Sequence, residues 1–151
     1  MDATDRRILG VLVSEGRVTF SELAARIGLS GPSTAERVRR LESDGVIAGY
    51  SAILNPVRAE AELAAFISVT LGSTDATEPF LAAMQREPMV LELHHVAGDG
   101  DYVLKVRCAN TRELEQLISG VIKGVAGVSA TRTTVVLSSR FERPVRARSD
   151  V

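Results

Sequence analysis

Two helix-start signals stand only eleven residues apart, at Thr19 and Ser30, with Gly28 just ahead of the second. Thr19-Phe20-Ser21-Glu22 is an S/T-x-x-E capping box, whose hydroxyl and carboxylate each take a backbone N–H that a helix start leaves unbonded. The helix it opens buries Leu23, Ala24 and Ile27 and stops at Gly28. Only Gly28 and Leu29 precede Ser30, which caps the next helix, residues 31–44, with Pro32 in a first turn where a missing N–H is harmless. A further helix, residues 2–16, comes before, with Ile8, Leu9 and Leu12 on one face, Asp2 or Thr4 as cap and Gly16 at its end. Three short helices with so tight a turn predict a helix-turn-helix around a small shared core.

The last of these helices has two unlike faces. At 100° per residue Thr34, Val38 and Leu41 form the inward stripe, Ser33, Glu36 and Arg40 point nearly opposite, and Arg37 and Arg39 flank them. Arginine bonds guanine edges or phosphates, a serine hydroxyl reaches a phosphate, and a glutamate accepts from cytosine, so these five residues are the candidate readers of double-stranded DNA. The plainer alternative is a solvated face with a Glu36–Arg40 pair one turn apart, on a module that binds protein rather than DNA.

The chain has 151 residues, and its 18 basic and 19 acidic side chains leave a net charge of -1, which excludes indiscriminate coating of polyanions. No apolar run approaches a membrane span and the start MDATDRR has no signal-peptide core, so a cytoplasmic location away from membranes is expected. Cys108 is the single cysteine, which excludes an internal disulfide and a thiolate zinc cluster.

From residue 45 to 54 the chain reads GVIAGYSAIL, rich in β-formers, and a short strand or wing is expected there. Asn55-Pro56 interrupts it, and 57–63, VRAEAEL, is the expected hinge. Beyond it the pattern becomes strand, helix, strand, strand, helix, strand: strands at 64–71, 90–96, 101–108 and 129–137, helices at 77–86 and 111–122. That βαββαβ order predicts a ferredoxin-like sandwich with both helices on one face of a four-stranded antiparallel sheet. Alternation puts Tyr102, Leu104, Val106 and Cys108 on one face of the third strand and Val103, Lys105 and Arg107 on the other; both faces of the last strand also keep apolar residues. The free face therefore calls for a second copy of the chain, a homodimer, which would present two reading helices to half-sites one helical turn apart.

Taken together, Leu29-Ser30, Glu36-Arg37-Val38-Arg39-Arg40-Leu41-Glu42, Gly45-Val46-Ile47-x-Gly49-Tyr50-x-Ala52-x-Leu54-Asn55-Pro56, Val96-x-Gly98-x-x-Asp101-Tyr102-x-Leu104 and Gly127-Val128-x-x-Thr131-x-Thr133 resemble the Lrp/AsnC family of leucine-responsive, feast/famine transcription regulators. The resemblance runs over about residues 2–139. It implies an α+β chain: a helix-turn-helix DNA-binding domain (1–51), a β-linker (52–63) and a ligand-sensing and oligomerising RAM domain (64–139); the segment beyond it, 140–151, is charged, contains Pro144 and has little to bury, so a mobile tail is expected there. It implies assembly of dimers to octamers, and an amino acid or related metabolite bound between sensing domains at the loop Gly98-Asp99-Gly100-Asp101. Thr134 and Val136 stand where the family lines that pocket. The loop chemistry suits a zwitterion, because glycine lets backbone N–H groups approach a carboxylate and an aspartate holds an ammonium group.

Other chemistry is not called for. His94 and His95 are adjacent strand residues on opposite faces, awkward for a shared metal, so no metal or cofactor is expected. Cys108 sits in a β-run as a core residue and no GxSxG, Walker loop or HExxH occurs, so no catalytic residue is assigned and no enzyme is expected. A ligand-binding or scaffold protein whose helical domain binds protein is the alternative to a DNA-binding regulator.

Overall fold

The structure, a computed structural model, describes residues 1–143 and 145, and it divides into two compact units, Met1–Ile53 and Leu54–Arg140. Most of the stretch expected as a tail, including Pro144 and the arginines at 146 and 148, lies outside the described residues.

In the first unit, helices α1 (Ala3–Ser14), α2 (Phe20–Ile27) and α3 (Gly31–Ser43) enclose a core of Ile8, Leu9, Leu23, Ile27, Val38 and Leu41. Each start is capped as its sequence dictates. Asp2 caps α1, Thr19 and Glu22 form the reciprocal box on α2, and the Ser30 hydroxyl accepts from Ser33 N–H. Gly28 ends α2 in the left-handed region at φ +76°, where a side chain would be strained, and this reversal sets the α2–α3 turn. The inward stripe of α3 is as expected: Thr34, Val38 and Leu41 are buried.

No strand forms between Gly45 and Leu54. The β-formers are there, but a strand is held by ladder bonds, and among the described residues none runs beside this stretch. Tyr50, Ile53 and Leu54 consequently stay exposed. The expected hinge is not featureless either. Asn55 Oδ1 accepts from Val57 and Arg58 N–H at 3.0 and 3.2 Å, and Ala59 and Ala61 bond back to Asn55 and Pro56, winding one capped turn.

The second unit is the βαββαβ sandwich. Strands β1 (Leu63–Leu71), β2 (Val90–His95), β3 (Tyr102–Cys108) and β4 (Val128–Val136) form an antiparallel sheet in the order β2-β3-β1-β4. Helices α4 (Thr77–Gln85) and α5 (Thr111–Gln116) carry Phe80, Met84 and Leu114 into the core. Asn110 caps α5, which continues over Leu117–Ile122 in a wider π-helical winding. The helix-facing side of the sheet is closed by Ala65, Ile67, Val69, Leu104 and Val106, all buried, each large side chain contributing about 1.5–3 kcal/mol. Along β3 burial alternates strictly, with Tyr102, Leu104, Val106 and Cys108 inside. The outer side carries Ala64, Phe66 and Ser68 of β1 opposite Val136, Thr134 and Arg132 of β4 and opposite Arg107, Lys105 and Val103 of β3. Phe66 is 43% exposed in the middle of it.

Candidate functional site

Two places concentrate polar side chains on well-packed elements, one in each unit. The first is α3. Glu36, Arg39 and Arg40 are exposed on it, as the helical wheel requires, while Ser33 is partly covered. Arg37 differs from expectation. Its guanidinium turns back to α1, where Nη1 lies 2.7 Å from Asp2 Oδ2 and 2.8 Å from Asp5 Oδ1, and its side chain is 28% exposed. Arg40 reaches the same carboxylate through Nη2, at 3.0 and 3.2 Å from the two Asp5 oxygens, yet stays 54% exposed. In place of the Glu36–Arg40 pairing considered for a solvated face, the Arg40 guanidinium bonds Asp5.

Asp5 itself is fully buried, a residue that sequence reasoning passed over. Its oxygens also accept the Asp2 N–H at 2.9 Å, while the Asp5 N–H donates to Asp2 at 2.8 Å, the two halves of a capping box. Burial pushes the Asp5 carboxyl up, but the Asp2 N–H and the Arg37 guanidinium together outweigh it and hold the group below the usual carboxylate range. The readable signal was Asp2-x-x-Asp5, a capping box with aspartate where glutamate is usual.

The second place is the loop between β2 and β3. Asp101 ties it to β1: its N–H donates to the Val69 carbonyl at 2.9 Å and its Oδ2 accepts from Leu71 N–H at 2.7 Å. Gly100 adopts φ +91°, and a Cβ there would sit 3.1 Å from the Val69 carbonyl oxygen, so backbone alone fits. Asp99 projects outward and bonds Arg132 Nη2 at 2.9 Å, both side chains being well exposed. Arg132 was not anticipated as part of this site; it shares the outer face of β4 with Thr134 and Val136. From Arg132, Thr134 is about 7 Å and Val136 about 13 Å further along the strand. Asp99 and Arg132 are thus brought together within the chain, whereas Val136 lies at the far end of the same face, opposite Ala64.

The histidines divide as the strand period demands. His94 Nε2 meets Glu92 at 3.1 Å, and the His95 ring lies on Tyr102, on the helix side, at 5.0 Å. Among the described residues no cluster of three or more His, Cys, Asp or Glu is placed to hold a metal ion. Cys108 is buried in the core, which pushes its thiol pKa up.

Residues 64–146 match the family model of the Lrp/AsnC ligand binding domain, and residues 1–48 match that of a winged helix-turn-helix DNA-binding domain. The chain belongs to the Lrp/AsnC family. It is 42% identical over 139 residues to the leucine-responsive regulatory protein of Escherichia coli K12, covering 91% of this chain and 85% of that one. Among solved structures, a transcriptional regulator of Neisseria meningitidis crystallised with L-Met is similar at a TM-score of 0.90 and 30% identity, over 95% of this chain and 94% of that one. The leucine response regulatory protein of Mycobacterium tuberculosis is similar at 0.82 and 39% identity, over 94% and 96%. This Lrp/AsnC chain is therefore a DNA-binding transcription regulator with a ligand-binding domain, and not an enzyme. Among its described residues no helix is long and apolar enough to cross a membrane.

Proposed function

We propose that this Lrp/AsnC regulator reads duplex DNA through Ser33, Glu36, Arg39 and Arg40 of α3, and that an amino acid bound at Gly98–Asp101 changes how its sensing units pack. The observation that carries the reading is the build of the loop: Gly100 held against the Val69 carbonyl and Asp101 bonded to Leu71 make a rigid hairpin end beside exposed Asp99 and Arg132. Opposite charges on a fixed backbone suit the two ends of a zwitterion. That the Neisseria meningitidis relative was solved with L-Met supports an amino acid as the effector class.

The second unit dimerises through its outer sheet face, where Phe66 is left open to water, and dimers assemble further to octamers. The separation of Val136 from the loop along β4 supports a pocket completed by a second copy, to which Thr134 and Val136 contribute. The DNA-binding domain ends near residue 51, a linker runs to 63, and the sensing domain occupies 64–139. The protein works in the cytoplasm, where both DNA and free amino acids are at hand.

A thermal-shift series of the purified protein against the twenty amino acids tests the effector, since a ligand that binds only the folded state raises its melting temperature. The expected result is a small set of hits that also alters affinity for a DNA duplex selected by the protein. No shift with any amino acid would remove the effector reading. An effector must favour one assembly over another for DNA binding to respond.

A further inference from the structure

We propose that Asp5 is a specificity-determining positioning residue: from inside α1 its carboxylate fixes the direction in which Arg40 leaves α3, while Arg37 braces the two helices and does not read bases. The inference rests on α3 being the recognition helix. Asp5 touches no DNA itself, since it is fully buried.

The geometry is that of a clamp with one open jaw. Both Asp5 oxygens engage a single nitrogen of Arg40, Nη2, while more than half of that side chain stays in water. The guanidinium is anchored at one corner and open at the others. A free arginine on a helix surface samples many rotamers, and a base-edge contact that must first immobilise it loses that entropy on binding. Holding Arg40 in advance removes the loss and fixes which base pair it meets. Arg37 is spent differently: two carboxylates, those of Asp2 and Asp5, take the same Nη1, and most of its side chain is covered.

Stability alone does not explain the arrangement. A buried ion cluster replaced as a whole by well-packed apolar side chains is often neutral or stabilising, so the core itself does not require charges here. What apolar side chains do not supply is a fixed bearing for Arg40. Location adds to the case, because Asp5 lies in the first turn of α1, where the helix dipole favours a negative charge that can direct the arginine.

The test begins with selection of a consensus from a random duplex library by the wild-type protein, followed by anisotropy titrations on the consensus duplex and its single-base-pair variants. Asp5→Asn is expected to weaken discrimination about tenfold at the same base pairs as Arg40→Gln, with the double variant no worse than Arg40→Gln alone. Its salt dependence should not fall, because no positive charge has been removed. A purely structural role would instead lower affinity evenly across all duplexes. If Asp5→Asn does not fold, Asp5→Glu is the replacement, since it keeps the charge and the capping acceptor but moves the carboxylate by one methylene, and the same loss of discrimination is expected. Wild-type base preference in a folded Asp5 variant, or additive effects in the double variant, overturns the proposal. If no consensus emerges, or if Glu36→Gln, Arg39→Gln and Arg40→Gln all leave it unchanged, the recognition-helix reading falls and this inference with it.

Discussion

Asp101 and Leu71 are thirty residues apart in sequence, yet the Asp101 carboxylate accepts the Leu71 backbone N–H at 2.7 Å and so ties the β2–β3 loop to the end of β1. The loop is thereby part of the sheet. In Asp101→Ala we expect loss of the amino-acid response with DNA binding retained, together with about 1.5–3 kcal/mol of lost stability, the range for a hydrogen bond to a charged group. Dose-response titrations of DNA affinity and a urea midpoint measure both; an unaltered dose response would take the loop out of the effector site.

Arg37→Ala removes one of the two cations facing a buried carboxylate. Breaking a buried pair by removing one partner is strongly destabilising, but Arg40 still faces Asp5 and Arg37 is partly in water, so a smaller, measurable loss is expected here. The loss should fall on the helical unit alone. Denaturation followed in parallel with effector binding would show it: a weakened first unit with an unchanged effector affinity.

Acid should act on the same cluster. The Asp2 carboxyl is lowered from 3.8 to about 2, chiefly by the Asp5 N–H and next by Arg37, and Asp5 is lowered as well. A carboxyl depressed in the folded state adds stability above its unfolded value that disappears as pH falls through its folded value. The helical unit should therefore hold its full stability down to about pH 4 and lose this contribution between there and about pH 2. Helicity by circular dichroism across that window checks it, and Asp2→Asn should show a shallower loss.

Phe66→Asp addresses the outer sheet face. Phe66 is 43% exposed, so covering the remainder of two such rings in a symmetric contact contributes about 1–3 kcal/mol, and two charges desolvated in their place cost more, so the dimer dissociation constant should rise about a hundredfold or more. Light scattering against concentration reads this directly. A dimer of undiminished strength would place the contact on another face.

Much of this was legible because the decisive signals are local. Capping boxes act over three residues, which is why Thr19 with Glu22 and Ser30 mark their helices correctly. Strand alternation acts over two, and Tyr102, Leu104, Val106 and Cys108 all lie inside as read. What escaped is non-local. Asp5 meets Arg37 and Arg40 from 32 and 35 residues away, and an aspartate near a helix start reads as a surface residue until the partner helix is in place. Asp99 and Arg132 are likewise 33 apart. The stretch from Gly45 to Leu54 failed in the opposite sense: its residues favour a strand, but propensity forms no ladder without a neighbour. The wider winding at Leu117–Ile122 carried no sequence sign at all.

The two hydrophobic cores have no residue in common, Ile8 to Leu41 filling one and Ala65 to Ile122 the other. A chain built this way can be altered by halves. Substitutions that retune which duplex α3 prefers leave the packing around Phe80 and Leu104 untouched, and changes in the sensing sheet leave Val38 and Leu41 seated. Each interior can change its own side chains without repacking the other, so what the reading helix prefers and what the sensing sheet holds are set by separate sets of packed residues.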